Sequence, residues 1–168
     1  YYIIRIRLYK AAALSRAFYI TARERFMDYK VRYENWISSE YLCSEGVAEL
    51  KKISEDDEAI KDAFGAELEF GTAGMRGIIG YGTNRMNVYT VRRATKGLAD
   101  FIKSKGKAAM QRGVAISYDT RNKSELFARA AAGVLLYNDI KVYVYPEPRP
   151  VPMLSYAVRS LNAFAGIM

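Results

Sequence analysis

The sequence contains no histidine and a single cysteine, Cys43, among its 168 residues. Within these residues the lack of histidine excludes the Ser-His-Asp and Cys-His catalytic arrangements and removes the commonest metal ligand. A single cysteine excludes an internal disulfide and fits a reducing compartment. No apolar run approaches the roughly 18–20 residues that a membrane-spanning helix needs. The sequence therefore predicts a soluble protein without a membrane partner.

The composition allows a packed core. Hydrophobic residues make up 51% of the chain and charged residues 26%, which is typical of globular proteins and unlike disordered ones. A chain of this length has room for one ordinary domain of roughly 100–200 residues. We therefore expect one folded domain.

The net charge of +8 raises the possibility of a nucleic-acid partner, so its distribution along the chain matters. Residues 1–26 carry six basic side chains and one acidic side chain, whereas the remainder carries 20 basic and 17 acidic ones. Because most of the excess charge lies in one short segment, the sequence predicts no nucleic-acid partner.

Residues 1–26 form a basic leader that differs in composition from the rest of the chain, and Met27-Asp28-Tyr29 resembles the true start of the protein. Three interpretations remain open. The leader is an organelle-targeting peptide, since it is rich in arginine and poor in acids; or a basic amphipathic helix for a membrane surface; or translated sequence upstream of the real start codon. We favour the third interpretation and expect the leader to lie outside the fold.

The hydrophobic pattern predicts an α/β order after an N-terminal helical segment at 27–64. That segment contains Tyr29, Tyr33, Trp36 and Ile37 at helical spacing, with Trp36 as a core anchor, and a second helix at 44–61. The domain proper spans 65–168. Its predicted elements are a short strand at 77–80, a helix capped by Asn87 that ends at Gly106, strand 114–118, a helix capped by Ser124 and ended by Asn138, strand 140–145, helix 152–161 and strand 163–168. This alternation predicts a largely parallel sheet with right-handed crossovers.

Residues 69–77 form the most informative segment, a loop with three glycines, the Thr72 hydroxyl and the Arg76 guanidinium. Glycines allow main-chain N–H groups to approach an anion, and arginine offers a planar fork that matches phosphate oxygens. The loop therefore predicts a phosphate site. The alternative is a plain tight turn at Gly71, Gly74 and Gly77, with Arg76 as an ordinary surface arginine.

A second polar loop, Asp119-Thr120-Arg121, follows the predicted strand 114–118. In open parallel sheets, ligands bind at the carboxyl ends of the strands. We therefore expect the catalytic edge of the sheet at this loop and after the last strand.

These two loops, in this order and with the intervening segment 82–87, resemble the first domain of the alpha-D-phosphohexomutases, most closely the phosphoglucomutase/phosphopentomutase branch. The resemblance runs from about Met27 to Met168. It implies a three-layer α/β/α domain with a mainly parallel sheet, preceded by N-terminal helices. Members of the family carry a phosphorylatable serine in a loop directly after a strand that resembles 163–168, so we expect this chain to be an N-terminal fragment without the nucleophile.

The resemblance also implies the chemistry. An enzyme phosphoserine gives its phosphoryl group to a sugar monophosphate, and the bisphosphate intermediate reorients and rephosphorylates the serine. Mg²⁺ and glucose 1,6-bisphosphate are the implied cofactors of the full-length enzyme, and the fragment is expected to bind neither and to be inactive alone. The implied partners are a sugar phosphate and the missing C-terminal domains. The implied location is the cytoplasm, and the sugar preferred among glucose, pentose and mannose phosphates stays open.

The resemblance assigns roles residue by residue. Thr72, Gly74 and Arg76 match positions that contact substrate or the phosphoserine neighbourhood, and Arg121 matches a supporting position near the serine loop. No residue of this chain matches a metal ligand, and Asp119 is expected to position its own loop or to pair with Arg121. An alternative function is a noncatalytic module that binds phosphosugars or nucleotides.

The chain's own serines are poor candidates for the nucleophile, because no base stands near them in sequence and each has a structural interpretation. They are Ser117, Ser124, Ser155 and Ser160.

Overall fold

A computed structural model describes residues 28–71 and 74–168. The predicted leader at 1–26 lies outside the described residues. By backbone contacts the chain divides into two compact units after Thr90. The described part of the first, at 28–71 and 74–90, is called the helical unit here, and Val91–Met168 is called the sheet unit.

The helical unit is built around three helices, α1 (Tyr29–Ile37), α2 (Ser44–Lys52) and α3 (Asp57–Phe64). Its core centres on Phe64, which is fully buried. The rings of Tyr33 and Trp36 meet Phe64 edge to face, at centroid distances of 5.7 and 5.6 Å. Such pairs stabilise a core by about 0.5–1.5 kcal/mol beyond the area they bury. The predicted role of Trp36 as a core anchor is confirmed.

The single helix predicted over 44–61 is wrong, because the structure ends α2 at Lys52 and starts α3 at Asp57. The Asp56 carboxylate accepts a hydrogen bond from the Ala59 N–H at 3.0 Å, which makes Asp56 the N-cap of a new helix. The hydrophobic periodicity continues from α2 into α3 and so does not show that the helix is interrupted. The capping side chain of Asp56 is the signal that shows the interruption.

The strand predicted at 77–80 is also wrong. Two short strands precede it, β1 (Phe70–Gly71) and β2 (Gly74–Met75), and they pair antiparallel. Within 77–80 the structure shows one isolated β-bridge, between Ile79 and Met86. Ile78 is 66% exposed, so this short apolar run has no core face to hold it as a strand.

Helix α4 (Val88–Ser104) begins as predicted at Asn87, whose side-chain oxygen accepts hydrogen bonds from the N–H groups of Tyr89 and Thr90. Phe101 in this helix is 52% exposed. The buried positions in the sheet unit part of α4 are Val91, Thr95, Ala99 and Ile102. A short helix that the sequence did not predict, α5 (Lys107–Arg112), follows.

The rest of the sheet unit has the predicted alternation of strand and helix. Its elements are β3 (Val114–Ile116), α6 (Ser124–Tyr137), β4 (Val142–Val144), α7 (Val151–Ser160) and β5 (Ala165–Ile167). The strands form a parallel sheet in the order β4-β3-β5, with Val114 level with both Val142 and Ala165. Each strand is shorter than predicted but lies within its predicted range.

The strand order implies the layers. The chain moves one place from β3 to β4 and then two places back, across β3, to β5. Because crossovers between parallel strands are right-handed, two crossovers in opposite directions put α6 and α7 on opposite faces of the sheet. In agreement, all three residues of β3 are buried, and Ala115 packs with Leu154 and Ala157 of α7. The predicted three-layer α/β/α fold is confirmed.

Helix α6 ends as predicted at Asn138, in a Schellman motif. The Ile140 N–H donates to the Leu135 carbonyl at 3.0 Å, and the Asp139 N–H donates to the Leu136 carbonyl at 3.1 Å. This motif needs a left-handed residue at the position that Asp139 occupies, and Asp139 has a φ of 59°. Glycine usually fills that position because it has no Cβ to clash there.

Replacing Asp139 by glycine is expected to raise the free energy of unfolding by about 0.5–1 kcal/mol, since the left-handed conformation is strained for residues with a Cβ. The replacement also removes a negative charge from a helix C-terminus. Asp139→Ala removes the same charge but keeps a Cβ, so it separates the two effects. Urea unfolding of the three proteins measures the difference, and equal stability of the glycine and alanine variants would contradict the argument.

Candidate functional site

The described parts of the glycine-rich loop, on either side of residues 72–73, pair antiparallel in the helical unit. Phe70 pairs with Met75 and Gly71 pairs with Gly74. Thr72, one of the predicted phosphate ligands, lies outside the described residues. Gly74 has a φ of 90°, a conformation that favours glycine. The turn interpretation of Gly74 is therefore supported, and the loop's role toward phosphate stays a prediction.

Arg76 directly follows β2 and is exposed. No hydrogen bond or ion pair joins it to any of the described residues, whereas Arg85 in the same unit pairs with Asp62. The nearby side chains of Phe70 and Ile78 are also exposed, at 76% and 66%. A guanidinium in this setting keeps all its donors available for an anion that comes from outside the described residues.

The second predicted site residue, Arg121, lies in the sheet unit, in the loop that follows β3. Its Nε lies 2.6 Å from Oδ2 of Asp119, and its backbone N–H donates to Oδ1 of the same carboxylate at 3.1 Å. The Arg121 side chain is 84% exposed. The predicted pairing of Asp119 with Arg121 is thus confirmed, and the pair holds the loop in shape while the guanidinium faces solvent.

The carboxyl of Asp119 has a lowered pKa. Partial burial works to raise the pKa, but the Arg121 N–H, the Ser124 hydroxyl and the Arg121 guanidinium together outweigh it. Each of these groups stabilises the ionised carboxylate.

We expect the loop to keep its order down to about pH 3.9, the ordinary aspartate pKa, and to lose it as the pH falls through the lowered value of the folded state. A depressed carboxyl pKa contributes stability above the unfolded value, and that contribution disappears in acid. NMR titration of the Asp119 carboxyl carbon measures the midpoint. Arg121→Gln should move the midpoint toward the ordinary value, and an unmoved midpoint would show that the ion pair has no part in the shift.

The prediction that Ser124 caps α6 is wrong. Lys123 occupies the N-cap position with a φ of 62°, and no side-chain hydrogen bond caps the helix there. The Ser124 hydroxyl instead accepts a hydrogen bond from the Asp119 N–H at 3.3 Å. Ser117 is buried, and its hydroxyl donates to the Arg149 carbonyl at 3.1 Å. Both serines therefore serve the loops around them, in agreement with their rejection as nucleophiles.

The proline-rich segment after β4 brings a residue to this edge that sequence reasoning missed, Arg149. Its backbone N–H donates to the Tyr118 carbonyl at 3.0 Å, and the Tyr118 hydroxyl donates to the Pro146 carbonyl at 3.0 Å. Its guanidinium lies 2.9 Å from the carboxylate of Glu147. The sequence signal for Arg149 was its spacing from an acidic residue. After β3 and again after β4, an arginine stands two residues after an acid, Arg121 after Asp119 and Arg149 after Glu147.

The described residues offer no metal site. Nowhere in the described ranges do three or more Cys, Asp or Glu side chains come together in a way that would hold an ion. Asp119 is committed to Arg121 and to its own loop. In addition, no helix within 28–71 or 74–168 is long and apolar enough to cross a membrane.

Comparison with known protein families matches this architecture. The model of the phosphoglucomutase/phosphomannomutase alpha/beta/alpha domain I matches residues 67–168. The chain belongs to this family. The match covers the glycine-rich loop and the whole sheet unit, so it contains both the predicted phosphate loop and the Asp119-Thr120-Arg121 loop.

Relatives with curated descriptions agree with the family. The chain is 37% identical to a phosphopentomutase of Mus musculus over 133 residues, which are 76% of this chain and 21% of that protein. It is 37% identical to a phosphoglucomutase of Staphylococcus epidermidis over 134 residues, 80% of this chain and 23% of the relative. A probable phosphoribomutase of Schizosaccharomyces pombe is 37% identical over 115 residues, 68% of this chain and 20% of the relative. The chain thus spans about a fifth of the length of these relatives. No solved structure matches it.

Proposed function

We propose that this chain is the first domain of a sugar phosphomutase, which interconverts sugar 1-phosphates and 6-phosphates through a phosphoserine and a bisphosphate intermediate. The phosphoserine is proposed to lie in sequence outside these 168 residues. The observation that carries the proposal is Arg76, an exposed guanidinium without a described partner, placed directly after a strand that begins at Gly74 in a conformation that favours glycine. The match of residues 67–168 to a mutase domain supports it.

Phosphoryl transfer asks a protein mainly for positioning and charge neutralisation. We propose that Arg76 binds two oxygens of the transferring phosphate with its planar fork. Gly74 keeps the turn tight enough for main-chain N–H groups to reach the same anion, and the Thr72 hydroxyl donates to it. We propose that Arg121 also binds phosphate, at the carboxyl edge of the sheet, where Asp119 holds it in place.

Mg²⁺ and glucose 1,6-bisphosphate are proposed as cofactors of the whole enzyme. Mg²⁺ prefers carboxylate ligands and neutralises phosphoryl oxygens. The described residues do not fit a Mg²⁺ site, because no group of acidic side chains gathers there. We therefore propose that the metal carboxylates lie in another part of the enzyme, and we assign this chain only the binding of phosphate.

The proposed substrate is glucose phosphate, with pentose phosphate next and mannose phosphate third. Relatives named phosphoglucomutase and phosphopentomutase, with equal identity to this chain, support the first two choices. The sugar-recognition residues are proposed to lie outside this chain. A phosphomutase of carbohydrate metabolism acts on soluble metabolites, so we propose a cytoplasmic location.

The test of this function uses the full-length protein that contains this chain. Purified enzyme with Mg²⁺ and a trace of glucose 1,6-bisphosphate is given glucose 1-phosphate, ribose 1-phosphate or mannose 1-phosphate, and the isomeric product is measured. We expect turnover of at least one of these substrates, with glucose 1-phosphate the best. The 168-residue chain alone is expected to give none. Tight binding of sugar phosphate by the full-length protein without turnover of any substrate would instead favour a noncatalytic binding module.

A further inference from the structure

Two neighbouring strands of the sheet unit end in the same arrangement. After β3, Arg121 pairs with the acid two residues before it, Asp119. After β4, Arg149 pairs with the acid two residues before it, Glu147. In both loops a short local ion pair orients a guanidinium that remains partly exposed, at 84% for Arg121 and 39% for Arg149.

The topology brings the two loops to one place. Strands β3 and β4 are adjacent and parallel, so their carboxyl ends lie at the same edge of the sheet. In open parallel sheets, ligands bind at the carboxyl ends of the strands. Arg121 and Arg149 both follow such strand ends, so both lie at the edge of the sheet where ligands bind.

Hydrogen bonds fix the backbone of Arg149 beside the β3 loop. Its N–H and its carbonyl are bound by the consecutive residues Tyr118 and Ser117, at 3.0 and 3.1 Å. Ser117 is 1% exposed, so this anchor lies inside the fold and does not depend on the guanidinium. The residue after Tyr118 is Asp119, which places the two loops side by side.

The ion pair with Glu147 leaves the Arg149 side chain able to change partners. Ion pairs between exposed side chains contribute little to stability, and Glu147 is 67% exposed. A phosphate dianion offers an arginine fork more charge and more acceptor oxygens than a carboxylate does. The free-energy cost of binding such an anion would be little more than that of releasing Glu147 from Arg149.

We propose that Arg149 and Arg121 together form a phosphate-binding site at the carboxyl ends of β3 and β4, with Arg149 as a phosphate-binding residue of the sheet unit. The ligand class is a phosphate monoester dianion. The proposal rests on the proposed function for its physiological ligand, a sugar phosphate, and on the geometry alone for its affinity for the phosphate group.

The test is titration of the isotopically labelled 168-residue chain with inorganic phosphate at low ionic strength, followed by the arginine Nε–H signals in NMR spectra. We expect both the Arg121 and the Arg149 signals to shift with one common dissociation constant. Arg149→Gln and Arg121→Gln should each weaken binding by about threefold to tenfold, as expected for the loss of one charged hydrogen bond at an exposed site. Glu147→Gln removes the competing carboxylate and should strengthen binding.

Arg129→Gln is the matched control, because Arg129 is also an exposed arginine of the sheet unit in an ion pair, with Glu125 on α6. Its removal should weaken phosphate binding less than the removal of Arg149 or Arg121 does. Thermal unfolding of every variant checks the fold. No saturable binding by the wild-type chain, or equal weakening by Arg149→Gln and Arg129→Gln, would overturn the proposal. The experiment measures phosphate binding by this chain. A negative result is therefore distinguishable from a lack of mutase activity in the full-length enzyme.

Discussion

Replacing Arg76 by alanine is expected to lower kcat/KM of the full-length phosphomutase by about 10- to 150-fold. A hydrogen bond to a charged group contributes roughly 1.5–3 kcal/mol, which corresponds to that range when it is made in the transition state. The fold should tolerate the change, because Arg76 is exposed and no hydrogen bond or ion pair links it to the described residues. Steady-state kinetics with glucose 1-phosphate measures the loss.

Two further variants make the result specific. Arg76→Lys keeps the charge but loses the fork, so it should recover only part of the activity. Arg159→Ala removes an exposed arginine from the last turn of α7 and should leave kcat/KM unchanged. Unchanged kinetics in Arg76→Ala would return Arg76 to the alternative of an ordinary surface arginine.

Replacing Gly113 by alanine is expected to destabilise the sheet unit by roughly 3 kcal/mol or more, a size reached when backbone strain and a steric clash combine. Gly113 has a φ of 73° at the entry to β3. An added Cβ would lie 2.7 Å from the carbonyl carbon of Lys141. That contact is with backbone, and the next peptide N–H, of Val114, donates to the same Lys141 carbonyl. The clash would therefore act on the first hydrogen bond between β3 and β4.

Gly97→Ala is the matched control for Gly113→Ala. Gly97 lies inside α4, and none of the described atoms comes within 4 Å of an added Cβ. The same chemical change should here stabilise the protein by about 0.5–1 kcal/mol, because alanine favours the helix. Urea unfolding followed by circular dichroism measures both variants. Similar stabilities of the two alanine variants would contradict the structural argument.

The alternation of the sheet unit could be predicted from the sequence because each strand is a short apolar run bounded by polar or turn residues. The cap at Asn87 and the helix end at Asn138 could also be predicted, because local interactions of the side chain or the backbone at these residues set the helix boundary.

Other features depend on tertiary contacts that no local pattern contains. The strand predicted at 77–80 failed because Ile78 and Ile79 have no partner strand within 28–71 and 74–168, although they are as apolar as β3. The role of Arg149 was missed because its placement depends on hydrogen bonds to Ser117 and Tyr118, which lie about 30 residues earlier.

The glycine-rich loop could be predicted only in part. Its composition could predict a turn or a phosphate site, and the structure shows the antiparallel pairing of Gly71 with Gly74. The phosphate role of Thr72, Gly74, Arg76 and Arg121 stays a prediction, because it depends on a ligand and on sequence outside these residues.

The most direct test of the account is transfer of labelled phosphate. Full-length enzyme and the 168-residue chain are each incubated with glucose 1,6-bisphosphate labelled in both phosphates, and protein-bound label and isomerisation of glucose 1-phosphate are measured. We predict that the full-length enzyme takes up label on one serine outside these 168 residues and turns over substrate, while the chain alone does neither. Stoichiometric labelling of a serine within the chain, accompanied by turnover, would contradict the account.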